Sequence, residues 1–137
     1  NTLNNIDKKS AKKSVKKREF KGLDPNKLRI LASKISKENK FELIKGDVSK
    51  TAKEYTAKNY GFKISLLHLD LDTYKGTKSA LKYFYPKISR GGIIILDEYA
   101  SRGWGETQAV DEFIKDKKYK LETLENTDTP TGYIKVI

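Results

Sequence analysis

The chain has no cysteine and a single histidine, His68. Disulfides, thiolate nucleophiles and Cys-based zinc sites are therefore excluded. One imidazole also makes a Ser-His-Asp triad or a His-rich metal centre hard to assemble. No apolar run approaches the ~20 residues that a membrane-spanning helix needs, and no signal peptide is visible. The default expectation is a soluble, cytoplasmic protein with no membrane span. A first residue of Asn1 rather than Met fits a piece of something longer.

What is present in quantity is charge: 29 Lys and Arg against 18 Asp and Glu, net +11 over 137 residues. That length allows one modest domain with a real core. The basicity is uneven, because residues 1–21 carry eight Lys or Arg against only Asp7 and Glu19. A Lys-rich, apolar-poor segment cannot order itself by burial, so residues 1–19 are expected to be a basic, flexible tail. Its functional alternative is a patch for an acidic partner. Nucleic acid is disfavoured, since no aromatic residues interleave with the lysines.

Beyond the tail, strands and helices alternate. Asn26–Lys37 reads as a helix with Leu28, Leu31 and Ile35 on one side, after Asp24-Pro25. Phe41–Ile44 reads as a short strand ending at Gly46-Asp47, followed by a helix over Ser49–Tyr60 that brings Val48, Ala52 and Tyr55 together. Lys63–Leu71 is a second strand, and Tyr74–Tyr85 a helix with Thr77, Leu81, Phe84 and Tyr85 inward, stopped by Pro86. Gly91-Gly92 is expected to turn the chain into Ile93-Ile94-Ile95-Leu96, an uninterrupted apolar run typical of a central parallel strand. Glu106–Lys117 reads as a helix burying Ala109, Val110, Phe113 and Ile114. Tyr119–Leu124 and Tyr133–Ile137 then form an antiparallel closing pair. This alternation predicts an open α/β sheet.

Two of these strands end in acid. The first runs into Asp70 and Asp72, which share a strand face by the two-residue period; the second runs into Asp97 and Glu98. If the strands are parallel neighbours, four carboxylates meet at the carboxyl edge, where open α/β sheets bind ligands. Unpaired, they would raise one another's pKa values, and a hard cation such as Mg²⁺, Mn²⁺ or Ca²⁺ would relieve the repulsion. The plainer alternative is that Asp72 caps the helix that follows it and Asp97 caps a turn. His68 is expected to be a packed residue rather than a ligand. Lys45-Gly46-Asp47 marks a third strand end and is weak evidence alone, since Gly-Asp is ordinary turn chemistry.

The segments "FELIKGDVSKT", "ISLLHLDLDTYKGTKSALKYFYPKISRGGIIILDEY" and "WGETQAVDEFI" together resemble the macrocin-type sugar O-methyltransferases. These are S-adenosylmethionine-dependent enzymes with a class I Rossmann-like fold. The resemblance is collinear from about Phe20, where "FKGLD" is similar to a family turn, to the C-terminus. Position by position it implies that Asp70, Asp97 and Glu98 are ligands of Mg²⁺ or Mn²⁺. It implies that Asp72, with Asp70, is catalytic, and that Gly46, Asp47 and Val48 bind the cofactor. Tyr99, Arg102 and Trp104, in the loop after the second acidic strand end, are expected to border a small-molecule or carbohydrate acceptor. Two features of the family are missing: no G-x-G-x-G turn occurs, and Arg18 stands where an acidic residue would hold the cofactor ribose. The expected fold is therefore α/β, a Rossmann-like methyltransferase sheet over residues 20–137, truncated of its first two strands. An upstream segment or a homo-oligomer partner is expected to fill the gap. The alternative function is a non-catalytic α/β module that holds an acidic partner through its Lys-rich start.

Overall fold

The computed structural model describes residues 4–17, 24–36, 40–101, 103–117 and 119–137, with backbone alone for 15–17. Its elements in chain order are helices α1 (Asn5–Lys17), α2 (Pro25–Ile35) and α3 (Val48–Lys58), strand β1 (Ile64–Leu69), and helix α4 (Tyr74–Phe84), which runs into a short 3₁₀ turn at Tyr85–Lys87. Strand β2 (Ile88–Leu96), helix α5 (Glu106–Lys117) and strands β3 (Leu121–Thr123) and β4 (Gly132–Lys135) complete them. One four-stranded sheet has the order β1-β2-β4-β3. The pairing of β1 with β2 is parallel, whereas β4 runs antiparallel to both β2 and β3. The open α/β sheet, the parallel neighbours and the antiparallel closing pair are all as the sequence predicts.

The core explains the elements. Ile94, Leu96, Leu69 and Ile134 of the sheet are 0–2% exposed, and they pack with Ala80 and Leu81 of α4 and Val110 of α5. Each of these Ile, Leu and Val side chains contributes about 1.5–3 kcal/mol of apolar burial. The inward stripe of α4 includes Thr77 and Leu81 as expected, with Phe84 and Tyr85 partly buried against the core. In α5, Ala109 and Val110 are buried, and Phe113 and Ile114 pack at the rim.

Three expectations need correction, those for Phe41–Ile44, Gly91-Gly92 and His68, and two further segments take an unexpected setting. Within the Lys-rich start, residues 5–17 form helix α1: Asn4 caps it, accepting from the Asp7 amide at 2.8 Å, and Asp7 is fully buried. Ordering here comes from a few polar contacts at helix ends, not from the apolar burial that the composition lacks. Phe41–Ile44 forms no strand; an extended segment needs a neighbour to bond, and β1 is the sheet edge with no further partner among the described residues. Helix α2 is capped by Asp24, which accepts from Asn26 and Lys27, yet it buries none of its side chains. Leu28, Leu31 and Ile35 are 37, 49 and 85% exposed, because no described element covers that stripe. Gly91-Gly92 does not precede β2 but lies inside it, where the register with β1 shifts between Ile64 and Leu66. A Cβ on Gly92 would lie 2.6 Å from Ile88 Cγ2 and 2.9 Å from the Ser89 carbonyl oxygen, so only glycine allows this irregularity. Finally, His68 is exposed rather than packed. It shares a strand face with Leu66, itself 56% exposed, because β1 lies at the edge.

Candidate active site at the carboxyl edge of the sheet

The parallel pairing sets Leu69 beside Leu96, so the two acidic strand ends emerge side by side. The Asp97 amide donates to the Leu69 carbonyl at 3.0 Å, fixing that juxtaposition beyond the last paired residues. Asp70 is exposed, and Asp72, Asp97 and Glu98 are half-buried. Asp97 Oδ1 lies 3.2 Å from His68 Nε2.

Asp72 does not cap α4. Thr73 does, its hydroxyl accepting from the Gly76 amide. The Asp72 backbone sits at φ 53°, in the left-handed region that few side chains adopt, and its carbonyl accepts from the Glu106 amide at 2.8 Å. Its carboxylate is thereby left among like charges. Burial first, then the fields of Glu98, Asp70, Asp97 and Asp7, push its pKa up to about 6. A carboxylate in that range can exchange a proton near neutrality.

Sequence reading missed two acids of this edge. Glu106, the first residue of α5, is 1% exposed, and neither carboxylate oxygen completes a hydrogen bond. Burial raises it to about 7; the nearby Glu98 and Leu71 amides oppose the shift, and Asp72 and Asp97 add to it. Asp7 accepts from the Tyr74 amide at 3.0 Å and the Gly105 amide at 2.7 Å. The available signals were slight: an acid directly after Gly105, and one of two acids in a Lys-rich stretch.

The remaining expected residues are placed as follows. Asp47 caps α3, accepting from the Ser49 amide at 2.9 Å, and that bond first of all holds its pKa below the ordinary value. Gly46 and Val48 line an apolar groove of about 340 Å³ with Ile44, Tyr55, Phe62 and Phe84. Tyr99 donates its hydroxyl to Asp111 at 2.7 Å, a bond that, with some burial, raises its pKa. Trp104 is half-buried immediately before α5. Arg102 lies outside the described residues, as does the "FKGL" stretch of the sequence resemblance. Among the described residues no three His, Asp or Glu side chains converge closely enough to hold a metal ion. The expected Mg²⁺ or Mn²⁺ set, Asp70, Asp97 and Glu98, is thus not a preformed cage. Also among the described residues, no helix is long and apolar enough to cross a membrane.

An open α/β sheet that gathers acidic side chains, one of them proton-avid, at its carboxyl edge has the architecture of a Rossmann-like methyltransferase. The chain belongs to the macrocin-O-methyltransferase (TylF) family, which its residues 35–135 match. Among solved structures, the chain is similar to CalS11, a calicheamicin methyltransferase, at 31% identity and TM-score 0.62, covering 68% of this chain and 36% of that one. The apo structure of CalS11, described as a TDP-rhamnose 3'-O-methyltransferase in calicheamicin biosynthesis, matches with the same identity and TM-score over 40% of its length. The chain therefore spans well under half of the relatives it matches. No curated protein sequence matches it.

Proposed function

We propose that this chain carries the acceptor-side machinery of an S-adenosylmethionine-dependent O-methyltransferase that methylates a hydroxyl of a sugar, glycan or glycosylated small molecule. The observation that carries the reading is Asp72. It is released from capping, held at φ 53° and raised to about 6 among its acidic neighbours, at the edge where such sheets take their ligands. The sugar acceptor follows from the family and from the TDP-rhamnose activity ascribed to CalS11.

When bound, S-adenosylmethionine supplies an electrophilic methyl group on a sulfonium. Asp72, in its ionised form, accepts the proton that the acceptor hydroxyl must lose. Asp70, Asp97 and Glu98 surround that position and sustain its basicity through like-charge repulsion. Trp104 offers an indole beside the edge on which a sugar face can stack, with Tyr99 and Arg102 in the same loop. The apolar groove at Gly46 and Val48, with the charged Asp47 beside it, fits the adenine end of the cofactor. The rest of the cofactor site is assigned to an upstream segment or a homo-oligomer partner that pairs on the open edge of β1. Metal dependence rests on the family resemblance alone; the carboxylates as placed do not fit an ion, and no step here runs through one.

The alternative of an acidic partner held by the lysines draws on exposed Lys9, Lys12 and Lys13. The docking of α1 onto the carboxylate edge through Asp7 favours a role within the site instead.

The test is transfer of a labelled methyl group from S-adenosylmethionine to TDP-rhamnose, with and without Mg²⁺. Asp72→Asn is expected to lower kcat by roughly 10²–10⁴-fold, the usual contribution of a general base. A fully active Asp72→Asn variant would overturn the reading, as would absence of transfer once the upstream segment or partner that completes the cofactor site is supplied. Loss of activity in EDTA would establish the metal part separately.

A further inference from the structure

Helix α1 is attached to the molecule in an unusual way. Ile6, its large apolar side chain near the contact, is 45% exposed, whereas Asp7 is fully buried. The contact is therefore polar, and it is specific. One Asp7 oxygen accepts from the Tyr74 amide at the start of α4, the other from the Gly105 amide at the start of α5. These are the donors that a helix start leaves without an internal partner, and an anion there is favoured by both helix dipoles. Thr73 caps α4 through the Gly76 amide, so the Tyr74 amide is left to Asp7. Gly105 is part of the fit: a Cβ there would lie 2.7 Å from Asn4 Nδ2 and 2.8 Å from Asp7 Oδ1. Two further bonds flank the joint, from the Ser10 hydroxyl to the Gly103 carbonyl and from Asn4 Nδ2 to Gln108 at 3.4 Å.

The two helix starts joined in this way are not arbitrary. Tyr74 ends the loop that carries Asp70 and Asp72, and Gly105 ends the loop that carries Asp97, Glu98 and Trp104. We propose that Asp7 is a positioning residue of the site, whose single carboxylate joins these two loops and sets the spacing of the acids across the edge. The bond from the Glu106 amide to the Asp72 carbonyl, at 2.8 Å, closes the same joint from the other side. Asp7 touches no reacting atom in this scheme. It acts through the loops, and the inference rests on the proposed function for its catalytic consequence, though not for its geometry.

Asp7→Gly in the full chain removes the carboxylate and leaves a cradle of two amides that added formate can enter. Amide hydrogen exchange is expected to accelerate at least tenfold at both Tyr74 and Gly105, with β4 unchanged, and millimolar formate is expected to restore part of the protection. In the TDP-rhamnose assay, kcat per folded molecule is expected to fall by roughly 10–100-fold, the scale of a displaced catalytic group. The KM for S-adenosylmethionine stays the same, and formate recovers part of kcat. Asp7→Asn, which keeps one accepting oxygen, serves if the glycine variant does not fold, and is expected to release one of the two amides. Unchanged exchange at Tyr74 and Gly105 overturns the proposal, and so does loss of protection with kcat intact. Absence of transfer by the wild type with its cofactor site completed overturns the proposed function instead; the joint between the loops then stands or falls on exchange and its rescue by formate.

Discussion

Asp72 and Glu106 show how far single residues were legible. The two-residue spacing of Asp70 and Asp72 at a strand end was enough to single out Asp72. That it would leave the cap to Thr73 depends on a positive φ, which no residue pattern announces. Glu106 lay unremarked at the start of a well-recognised helix, because its burial comes from segments distant in sequence. Its folded value of about 7 lies above the ordinary 4.5, so the folded state holds the proton more tightly than the unfolded chain. That contribution to stability is fully present below about pH 4.5 and is lost as pH rises through 7. Asp72 adds a smaller effect of the same sign between about pH 4 and 6. Urea unfolding in EDTA should therefore show a less stable chain at pH 8 than at pH 5. Glu106→Gln should remove a share on the order of 2 kcal/mol of that difference. An unchanged difference in the variant would show that Glu106 is not held neutral by its surroundings.

Elements with strong internal signals were read closely. Helix α5 has the predicted bounds, and α3 and α4 begin or end within two residues of expectation, since each has a buried stripe and a recognisable stop. Phe41–Ile44 failed because a strand exists only through its neighbours, and its alternating pattern says nothing about whether one is present. The paired glycines of β2 read as a turn, although Gly92 in fact accommodates a register shift inside the strand. At this scale Gly92→Ala is expected to cost about 1–3 kcal/mol, the usual penalty for overfilling a packed site, because its Cβ would meet backbone at Ser89 and Ser65. A denaturant midpoint equal to that of the wild type would show that the bulge can relax around a methyl group.

At the scale of the molecule, β1 and β3 are the two edges of the sheet among the described residues. Strand β1 is an edge, with Leu66 56% exposed on it and Ile44 47% exposed in the unpaired segment nearby. Such an edge offers unpaired backbone and apolar surface together, a template for another strand. The proposed upstream segment or second copy would bind there. Leu66→Lys is expected to weaken concentration-dependent association of the chain in analytical ultracentrifugation while leaving its circular dichroism unchanged. Identical sedimentation of the two chains across concentration would remove β1 as the contact. The net charge of +11 suggested a basic tail, with an acidic partner as the alternative; within that stretch the acid Asp7 bonds to the starts of α4 and α5.

By itself the sequence determined the alternation of strands and helices, the apolar run of β2, the family, and the two acidic strand ends. These are local or nearest-neighbour properties, written in periodicity and in short motifs. The tertiary structure decided which carboxylates are buried, which are released from capping, and that a Lys-rich helix is tied through Asp7 to the starts of α4 and α5. Those outcomes depend on contacts between residues 67 and 98 positions apart, which no local pattern encodes.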